Sequence, residues 1–322
     1  MHDKTGITFA GGTLDRAAHL RDDTRAIDSF RQQKNSKAML IWRGKVLIDR
    51  SANAKLVWLE MDEKVLQSAP EQPIFLGLQN GHARFACDIS TWTPATLDPD
   101  HQAKFVDDSE IAHPALPGSY KFVDLRMVMA DLSRADAGDA ATAKGIFEWH
   151  RSHRFCACCG AASVVSKSGW QRQCPDCNRM HFPRTDPVVI MLVTSGNDVL
   201  LGRSPLWPQG MFSLLAGFME PGETIAEAVA REVFEETSVQ IGRVDYLLDQ
   251  PWPFPSSLMI GCKAQALTRD IILDPIELEA ALWVSREEVM ATMDGSNPDL
   301  LPARKGSIAR YLLDQWLTDT LN

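Results

Sequence analysis

Three glutamates, Glu232, Glu235 and Glu236, are spaced so that their carboxylates can share one small volume. At 3.6 residues per turn, positions i, i+3 and i+4 lie on the same face of a helix. Like charges this close repel each other unless a cation lies among them. Mg²⁺ and Mn²⁺ take oxygen ligands and bridge readily to phosphate oxygens. The spacing favours a site for a divalent cation and a diphosphate, although most Glu-rich helices simply have a solvated acidic face.

The segment before these glutamates, Gly217 to Glu223, reads GFMEPGE and contains two glycines and a proline. This composition indicates a shaped turn. Thr224 and Glu227 stand in the Ser/Thr-x-x-Glu order of a capping box, which predicts a helix that begins near Thr224. Both features indicate an ordered loop and helix, and they weigh against a merely solvated acidic face.

A second group with metal chemistry consists of four cysteines in two C-x2-C pairs, which fourteen residues separate. These are Cys156, Cys159, Cys174 and Cys177. Zn²⁺ binds four thiolates tetrahedrally at about 2.3 Å, and such a site leaves no position open for substrate. The spacing therefore predicts a zinc ribbon with a structural metal. Cys158, inside the first pair, is predicted not to be a ligand.

Nucleic-acid binding is an alternative role for the ribbon. Between His150 and Arg184 the chain has six Lys/Arg and one acidic residue, a formal charge of +5. A zinc ion with four thiolates contributes −2, which leaves about +3. That charge suits a phosphorylated ligand, but it is weak support for binding RNA regardless of sequence. The net charge of −9 for the whole chain argues against wrapping a long nucleic-acid backbone.

The composition, 45% hydrophobic and 23% charged over 322 residues, is typical of a soluble globular protein with two domains and a small insert. The first residues, MHDKTGITFAGG, lack the apolar core of a signal peptide, and no stretch approaches the length of a membrane span. We therefore expect no membrane partner and a cytoplasmic location. In a reducing compartment the cysteines would be metal ligands or free thiols rather than disulfides.

Residue patterns divide the chain into four segments. They are predicted as a strand-rich N-terminal domain (1–123), a helical bridge (124–153), a zinc ribbon (154–182) and a catalytic domain (183–322). Asn80-Gly81 predicts a hairpin turn in the first segment, because both residues accept positive φ. The bridge is predicted to contain two helices with a break at residues 135–138.

The catalytic segment combines the glutamate helix with several predicted strands. Apolar runs predict strands at 188–194, 198–203, 211–217, 244–248, 257–265 and 281–284. A closing helix is predicted over Ser307–Leu317. These elements favour an α/β (α+β) arrangement, in which helices flank a mixed sheet as a sandwich.

The glutamate segment resembles the signature of the Nudix hydrolases, G-x5-E-x7-R-E-U-x-E-E-x-G-U with U aliphatic. The matching residues are Gly217, Glu223, Arg231, Glu232, Val233, Glu235, Glu236 and Val239. Ser238 replaces the late glycine of the signature, at a position where a left-handed conformation costs other residues about 1 kcal/mol. The resemblance implies the Nudix α/β/α sandwich and a metal-assisted cut of a diphosphate.

A second stretch, Gln250–Ser257, narrows this resemblance. It reads QPWPFPSS, so three prolines alternate with Trp252 and Phe254 in a stiff, extended segment. Alone, it could be a Pro-rich loop packed on the core. Together with the preceding ribbon, it resembles the NADH pyrophosphatase branch of the Nudix hydrolases, whose array begins with Ser where this chain has Asp249. The resemblance covers the chain well from Phe155 onward and the N-terminal domain only loosely, which implies a Nudix-like domain over residues 1–123.

The resemblance also implies a catalytic metal shell. Its implied ligands of Mg²⁺ or Mn²⁺ are Glu232, Glu236, Glu277 and the carbonyl oxygen of Ala216. Glu235 would lie beside this shell as an outer ligand or a general base. Arg231 is predicted to orient the glutamates through a salt bridge rather than to contact substrate.

The substrate contacts implied by the resemblance lie in several parts of the chain. Phe182 and Phe218 would sandwich the nicotinamide ring, one from each subunit of a homodimer. The other implied contacts are Arg126, Gln250, Pro251, Trp252, Pro253, Phe254, Pro255, Ser256, Ser257 and Ala309. Gly169 stands where the branch can have a substrate-contacting Glu, so that contact must be absent or replaced.

The activity implied by the resemblance is hydrolysis of NAD(H) to nicotinamide mononucleotide and AMP. The same cut in NAD-capped RNA would leave a 5′-monophosphate on the RNA. Three alternatives stay open: a Nudix hydrolase of ADP-ribose or dinucleoside polyphosphates, an RNA-binding zinc-ribbon module without hydrolytic activity, and a catalytically inactive scaffold. The last is disfavoured because every chemical residue of the signature is present.

Overall fold

The structure, a computed structural model of the 322-residue chain, describes residues 6–95 and 107–321. The described residues form two compact units. The N-terminal unit comprises residues 9–185 together with 252–256. The C-terminal unit comprises residues 6–8, 186–251 and 257–321. None of the described helices is both long and apolar enough to cross a membrane.

A seven-stranded sheet forms the core of the described N-terminal unit. Its strands are β1 (Lys37–Trp42), β2 (Lys45–Asp49), β3 (Lys55–Leu56), β4 (Leu59–Glu60), β5 (Ile74–Gln79), β6 (His82–Asp88) and β7 (Tyr120–Val123). The order is β3-β2-β1-β6-β5, with β4 on β1 and β7 on β2, and the β1–β6 pair is parallel. Asn80 and Gly81 have φ of 52° and 80°, which confirms the predicted hairpin turn between β5 and β6.

Three helices accompany this sheet among the described residues: α1 (Thr24–Gln32), α2 (Leu125–Val128) and α3 (Arg134–Ser152). The predicted break at residues 135–138 is wrong, because these residues form the first turns of α3. The interruption comes earlier, and Ser133 caps α3 by accepting a hydrogen bond from the Asp136 amide. Glycine is needed at position 138 because the backbone at Gly12 packs against this turn of the helix. A Cβ atom on residue 138 would lie 2.9 Å from the Gly12 nitrogen.

A small sheet follows α3 in the same unit. It consists of β8 (Val164–Ser166), β9 (Gln171–Gln173) and β10 (Met180–His181), in the order β10-β9-β8, with antiparallel pairs. Each predicted cysteine pair lies in a tight turn: the amides of Gly160 and Asn178 donate to the carbonyl oxygens of Cys156 and Cys174. These turns direct the sulfur atoms of each pair to the same side.

The C-terminal unit contains a six-stranded mixed sheet in its described residues. Its strands are β11 (Asp186–Ser195), β12 (Asp198–Arg203), β13 (Leu215–Phe218), β14 (Ile241–Trp252), β15 (Ser257–Ala266) and β16 (Ala280–Ser285). The order is β14-β15-β11-β12-β16 with β13 on β11, and the β11–β15 pair is parallel. The helices are α4 (Ile225–Thr237), α5 (Arg286–Asp294) and α6 (Ile308–Leu317).

Side chains of β11 alternate between two buried clusters. Val189 and Met191 pack in one cluster with α4, whereas Ile190 and Leu192 pack in another with α5 and α6. Alternation with period two is expected for a strand in the middle of a sandwich. The predicted α/β sandwich with a mixed sheet is therefore confirmed.

Candidate functional site

Strand β13, the following loop and helix α4 position the predicted metal site. Thr224 caps α4, and its side chain and that of Glu227 form the predicted capping box. At the other end, Ser238 has φ 59° and ψ 9°, the left-handed conformation expected where the signature has glycine. Both ends of α4 are therefore defined by their caps, and this sets the positions of its glutamates along the helix axis.

The first glycine of the signature is needed because α4 comes close to β13. A Cβ atom on Gly217 would lie 1.9 Å from the Cδ atom of Glu232. Contacts this short are impossible, so only glycine lets the Glu232 carboxylate lie against the strand. The neighbouring Ala216 pairs with Ile190 in the middle of the sheet, which holds this part of the backbone.

Helix α4 and the loop before β16 bring three carboxylates together. One oxygen from each of Glu232, Glu236 and Glu277 lies within 4.8 Å of the others. Glu232 and Glu236 are 8% and 7% exposed, and the buried Oε2 atom of Glu236 has no hydrogen-bond partner. Burial, followed by the charges of Glu232, Glu277 and Glu235, raises the pKa of Glu236 to about 8.

The carboxylate cluster fits a divalent cation. An unpartnered buried carboxylate oxygen is costly unless a cation compensates it. Three carboxylates provide only oxygen atoms, which hard cations such as Mg²⁺ and Mn²⁺ prefer. Glu232, Glu236 and Glu277 are the residues that would hold such an ion.

Arg231 organises the surrounding acidic side chains. Its guanidinium forms two hydrogen bonds with Glu223 and bonds at 2.9 Å to both Glu232 and Glu235. It also donates to the carbonyl oxygen of Phe218 at 2.9 Å. The hydrogen bond from Arg231, followed by that from the Glu220 amide, lowers the pKa of Glu223 to about 2. The predicted orienting salt bridge of Arg231 is confirmed.

The four predicted zinc ligands also come together. Their sulfur atoms lie within 4.8 Å of one another, with 3.6 Å between Cys156 and Cys177 and 3.5 Å between Cys159 and Cys174. A tetrahedral zinc with bonds of about 2.3 Å needs sulfur atoms roughly 3.8 Å apart, so the four thiols fit Zn²⁺. Cys158 is exposed and outside this cluster, as predicted.

Backbone amides near Cys156 favour the thiolate form of this one cysteine. Hydrogen bonds from the Cys159 amide and then the Cys158 amide lower the pKa of Cys156 to about 6, against the opposing effect of burial. A lowered thiol pKa promotes metal binding, since the thiolate is the ligand.

A glutamate would not fit at position 169, where this chain has glycine and where the NADH pyrophosphatase branch can have a substrate-contacting Glu. Its φ is +100°, and a Cβ atom would lie 2.7 Å from the side chain of Ile74. The carbonyl oxygen of Gly169 accepts a hydrogen bond from Nε2 of His150, whose Nδ1 accepts one from Arg172. A substrate contact from this side chain is therefore absent, and the position serves packing.

The predicted substrate contacts are divided between the two units. Phe218, Gln250, Pro251, Ser257 and Ala309 belong to the C-terminal unit. Arg126, Phe182, Trp252, Pro253, Phe254, Pro255 and Ser256 belong to the N-terminal unit. Phe182 and Phe218 are 65% and 59% exposed, as aromatic rings that stack on a ligand need to be.

Within the N-terminal unit, the aromatic residues of QPWPFPSS form a cluster. Trp252 and Phe254 contact each other edge to face at 5.1 Å, and each contacts Phe9 at about 6 Å in the same manner. The Arg126 guanidinium lies 3.8 Å above the Phe254 ring, and the Lys144 ammonium lies 5.6 Å away. The structure therefore brings the predicted contacts Arg126 and Phe254 together.

Sequence reasoning did not find Phe9 and Lys144, which also contact this cluster. Phe9 lies more than 240 positions from the segment that it contacts, and no motif marks it. Lys144 lies on α3 and is 9% exposed. A lysine on a helix gives no sequence signal for burial, because most lysines are exposed.

Three family profiles match the chain in succession. Residues 35–149 match the NADH pyrophosphatase-like rudimentary NUDIX domain, residues 151–182 the NADH pyrophosphatase zinc ribbon domain, and residues 183–304 the NUDIX domain. A solved NUDIX hydrolase from Nitrosomonas europaea is 22% identical, with 50% of this chain and 91% of that chain covered and a TM-score of 0.41.

Relatives with named activities resemble a large part of the chain. The NAD-capped RNA hydrolase NUDT12 of Homo sapiens is 37% identical over 275 residues, which cover 81% of this chain and 55% of that protein. The NAD-capped RNA hydrolase NudC of Stutzerimonas stutzeri (strain A1501) is 42% identical, with 54% of this chain and 59% of that protein covered. The NAD(P)H pyrophosphatase NUDT13, mitochondrial, of Homo sapiens is 36% identical, with 61% and 59% covered. The chain spans a little over half the length of each of these relatives.

Proposed function

Because this chain belongs to the Nudix hydrolase family, we propose that it hydrolyses the pyrophosphate of NAD(H). The products would be nicotinamide mononucleotide and AMP. We also propose that it removes the NAD cap from RNA 5′ ends and leaves a 5′-monophosphate. The names of the relatives, NAD-capped RNA hydrolase and NAD(P)H pyrophosphatase, support both substrates.

One structural observation supports metal-dependent chemistry above the others. The cluster of Glu232, Glu236 and Glu277 is largely buried, and one oxygen of Glu236 lacks a partner. A cation that binds there would relieve the repulsion and satisfy this oxygen. Mg²⁺ or Mn²⁺ is our proposal for the ion, with the Ala216 carbonyl oxygen as a further ligand.

When bound, a divalent cation neutralises charge on the pyrophosphate and lowers the pKa of a bound water. Glu232 and Glu236 would hold it from one face of α4. Arg231 fixes Glu232 and Glu235, so neither carboxylate has to reorganise during the reaction. Glu235, whose side chain is 54% exposed, can accept the proton of the attacking water. The water oxygen adds to one phosphorus as the bridging P–O bond breaks and the second phosphate leaves.

Two exposed aromatic rings support recognition of the nicotinamide. Phe182 and Phe218 offer apolar faces to water, and a planar ring between two such faces is stabilised by stacking. We propose that they come from different subunits of a homodimer. A cytoplasmic location is part of the same proposal, because a four-thiolate zinc site needs reduced cysteines.

The test compares the wild type with Glu236→Gln on NADH and Mg²⁺ or Mn²⁺. We expect a fall in turnover of at least about 100-fold, because the variant loses a charged ligand from the metal shell. Glu287→Gln is the matched control, since Glu287 is exposed and bonds only to Asn197 among the described side chains. Near-normal NADH cleavage by Glu236→Gln would overturn the assignment of the site.

The same assay separates the alternative substrates. NADH, NAD-capped RNA, ADP-ribose and diadenosine polyphosphates are offered to the wild type under identical conditions. Preference for either of the last two would replace the proposed activity by another Nudix hydrolase activity. Salt-dependent binding of uncapped RNA without hydrolysis of any dinucleotide would identify an RNA-binding module instead.

A further inference from the structure

Glu277 joins the carboxylate cluster from a loop, in contrast to Glu232 and Glu236, which lie on α4. Its side chain is exposed, whereas those of the other two are buried. Arg231 binds Glu232, but no described side chain donates a hydrogen bond to the Glu277 carboxylate. The position of this carboxylate therefore depends on the backbone that carries it.

The loop that carries Glu277 is attached to the end of α4. The last carbonyl oxygens of a helix have no partner within the helix, and two of those in α4 are used by this loop. The Asp274 amide donates to the Glu236 carbonyl oxygen at 3.2 Å. The Ile272 amide donates to the Thr237 carbonyl oxygen at 3.0 Å. The loop is thus fixed to the backbone of a second residue of the carboxylate cluster.

Asp274 begins a tight turn that leads to Glu277. Its carbonyl oxygen accepts from the Glu277 amide at 3.3 Å, as in a β-turn, and from the Leu278 amide at 3.1 Å. Oδ1 of its side chain accepts from the Ile276 amide at 2.9 Å. Asp at the first position of such a turn and Pro at the second, here Pro275, both favour it. An Asp side chain that binds the amide two residues on stabilises the turn further.

The chain on the other side of Glu277 is also held. Leu278 is 7% exposed and packs in the same buried cluster as α4. The Glu279 amide donates to the carbonyl oxygen of Arg203 on β12 at 2.9 Å. Glu277 therefore lies between a buried anchor and the Asp274 turn, and only the turn depends on a side chain outside the core.

We propose that Asp274 is a positioning residue for the divalent cation, because its side chain fixes the turn that presents the Glu277 carboxylate. This inference rests on the proposed function, in which Glu277 is a metal ligand. Asp274 is not one of the three carboxylates within 4.8 Å of one another, so it acts through Glu277. Loss of a group that orients a metal ligand typically lowers metal affinity by about 10- to 100-fold.

The experiment uses the full, zinc-loaded chain and compares Asp274→Asn, Asp274→Ser and Asp274→Ala. Asn keeps an oxygen that can accept from the Ile276 amide, Ser accepts more weakly, and Ala removes the acceptor. Asp270→Ala is the matched control, since Asp270 is exposed in the same loop and the substitution removes the same charge. Mn²⁺ binding is measured without substrate by electron paramagnetic resonance of the free ion. Melting temperatures without Mn²⁺ verify that each variant folds.

We expect the Kd for Mn²⁺ to rise about 10-fold or more in Asp274→Ala, by a smaller factor in Asp274→Ser, and by less than about twofold in Asp274→Asn and the control. The Mn²⁺ concentration for half-maximal NADH turnover should rise in the same order. The KM for NADH should stay unchanged at saturating Mn²⁺, because Asp274 does not contact substrate.

An unchanged Kd for Mn²⁺ in Asp274→Ala would overturn the inference. So would equal losses of affinity in Asp274→Asn and Asp274→Ala, because the charge of Asp274 and not the turn would then act. If Asp274→Ala does not fold, the comparison of Asp274→Ser with Asp274→Asn decides in the same way. A wild type that binds Mn²⁺ and shows the expected order, but cleaves no dinucleotide, would refute the proposed function alone.

Discussion

The carboxylate of Glu232 occupies the space where any other residue at position 217 would place its Cβ atom. Arg231 then holds the same carboxylate from its other side, at 2.9 Å. Gly217 and Arg231 thus both position the Glu232 carboxylate, and neither needs to contact substrate. The spacing of charges in the sequence indicated the role of Arg231, but the role of Gly217 depends on a distance of closest approach that a sequence does not contain.

Gly217→Ala should therefore displace the Glu232 carboxylate while leaving the fold in place. We expect a fall in kcat of about 100-fold, since a displacement of about 1 Å in a catalytic group can cost that much. Steady-state kinetics with NADH and a thermal melt measure the two effects.

Gly242→Ala is the control for this substitution. An added Cβ there meets Leu267 at 3.6 Å and the Gln265 carbonyl oxygen at 3.7 Å, which are ordinary contacts. Its activity should match that of the wild type. If Gly217→Ala were equally active, close approach of α4 to β13 would have no part in catalysis.

Gln250 begins the aromatic–proline segment and at the same time ties three elements together. It is 0% exposed. Its amide nitrogen donates to the carbonyl oxygens of Thr8 and Gly306, and its oxygen accepts from the amide of Ile308 at the start of α6. With these groups satisfied inside the unit, the side chain positions its neighbours, among them Ala309, which directly follows Ile308.

Gln250→Leu keeps the approximate size of the side chain and removes all three hydrogen bonds. We expect a loss of about 2–4 kcal/mol in the free energy of unfolding, because three hydrogen bonds are lost at a fully buried position, among them the one to the Ile308 amide. Denaturant unfolding of the full chain measures it. The KM for NADH should also rise if Ala309 contacts the adenosine side of the substrate.

Gln265→Leu provides the comparison, because Gln265 lies on the neighbouring strand β15 with its side chain exposed. It should change stability by less than about 0.5 kcal/mol. Equal free energies of unfolding for the two variants would show that the buried Gln250 amide makes no net contribution to stability.

Strand β14 shows where sequence prediction of an element stopped short. The prediction covered 244–248, whereas the strand spans Ile241–Trp252 and includes the first proline of the array. Because β14 is an edge strand, Pro251 can lie in it without breaking the sheet. In contrast, β12 has its predicted bounds, and α6 begins at Ile308 after its cap Ser307. An isolated apolar run or a helix cap can be recognised from neighbouring residues. The position of a strand within a sheet depends on residues that are distant in sequence.

Helix α5 was missed although its sequence contained a signal. Ser285 and Glu288 form a capping box, the same motif that predicted α4. Its short apolar pattern gave little periodicity to support a helix. Caps should therefore be given weight even where the following apolar run is short.

At the scale of the whole molecule, the two units repeat one strand arrangement with different side chains. Each has a parallel pair inside its sheet, β1 with β6 and β11 with β15. Among the described residues, three carboxylates within metal-binding distance occur only in the C-terminal unit. Both metal sites could be predicted from the sequence because their ligands are side chains with a recognisable spacing. The loose resemblance of the N-terminal domain to a Nudix domain indicated the repeat, but its strand order was not predicted, since pairing between distant strands leaves no motif.

Zinc in the N-terminal unit provides the test at this scale. Four thiolates close the short ribbon, whose sheet has only three strands of two or three residues in the described chain. Such a sheet is too small to be stable without a crosslink, so a bound zinc ion would contribute directly to its folding. We expect one equivalent of zinc per chain by mass spectrometry, and Cys174→Ser should lose it together with protection of the ribbon from proteolysis.

Cys158→Ser separates the ligands from the neighbouring thiol. Cys158 is exposed, whereas Cys174 is 0% exposed within the sulfur cluster. The Cys158 variant should therefore retain one zinc and the proteolytic resistance of the wild type. Loss of zinc from both variants would mean that Cys158 belongs to the metal shell. Retention in both would mean that the four thiols do not hold the ion together.

Because the carboxylate cluster uses oxygen ligands in the other unit, Mg²⁺-dependent stabilisation of that unit should persist in the Cys174 variant, and differential scanning calorimetry with and without Mg²⁺ measures it.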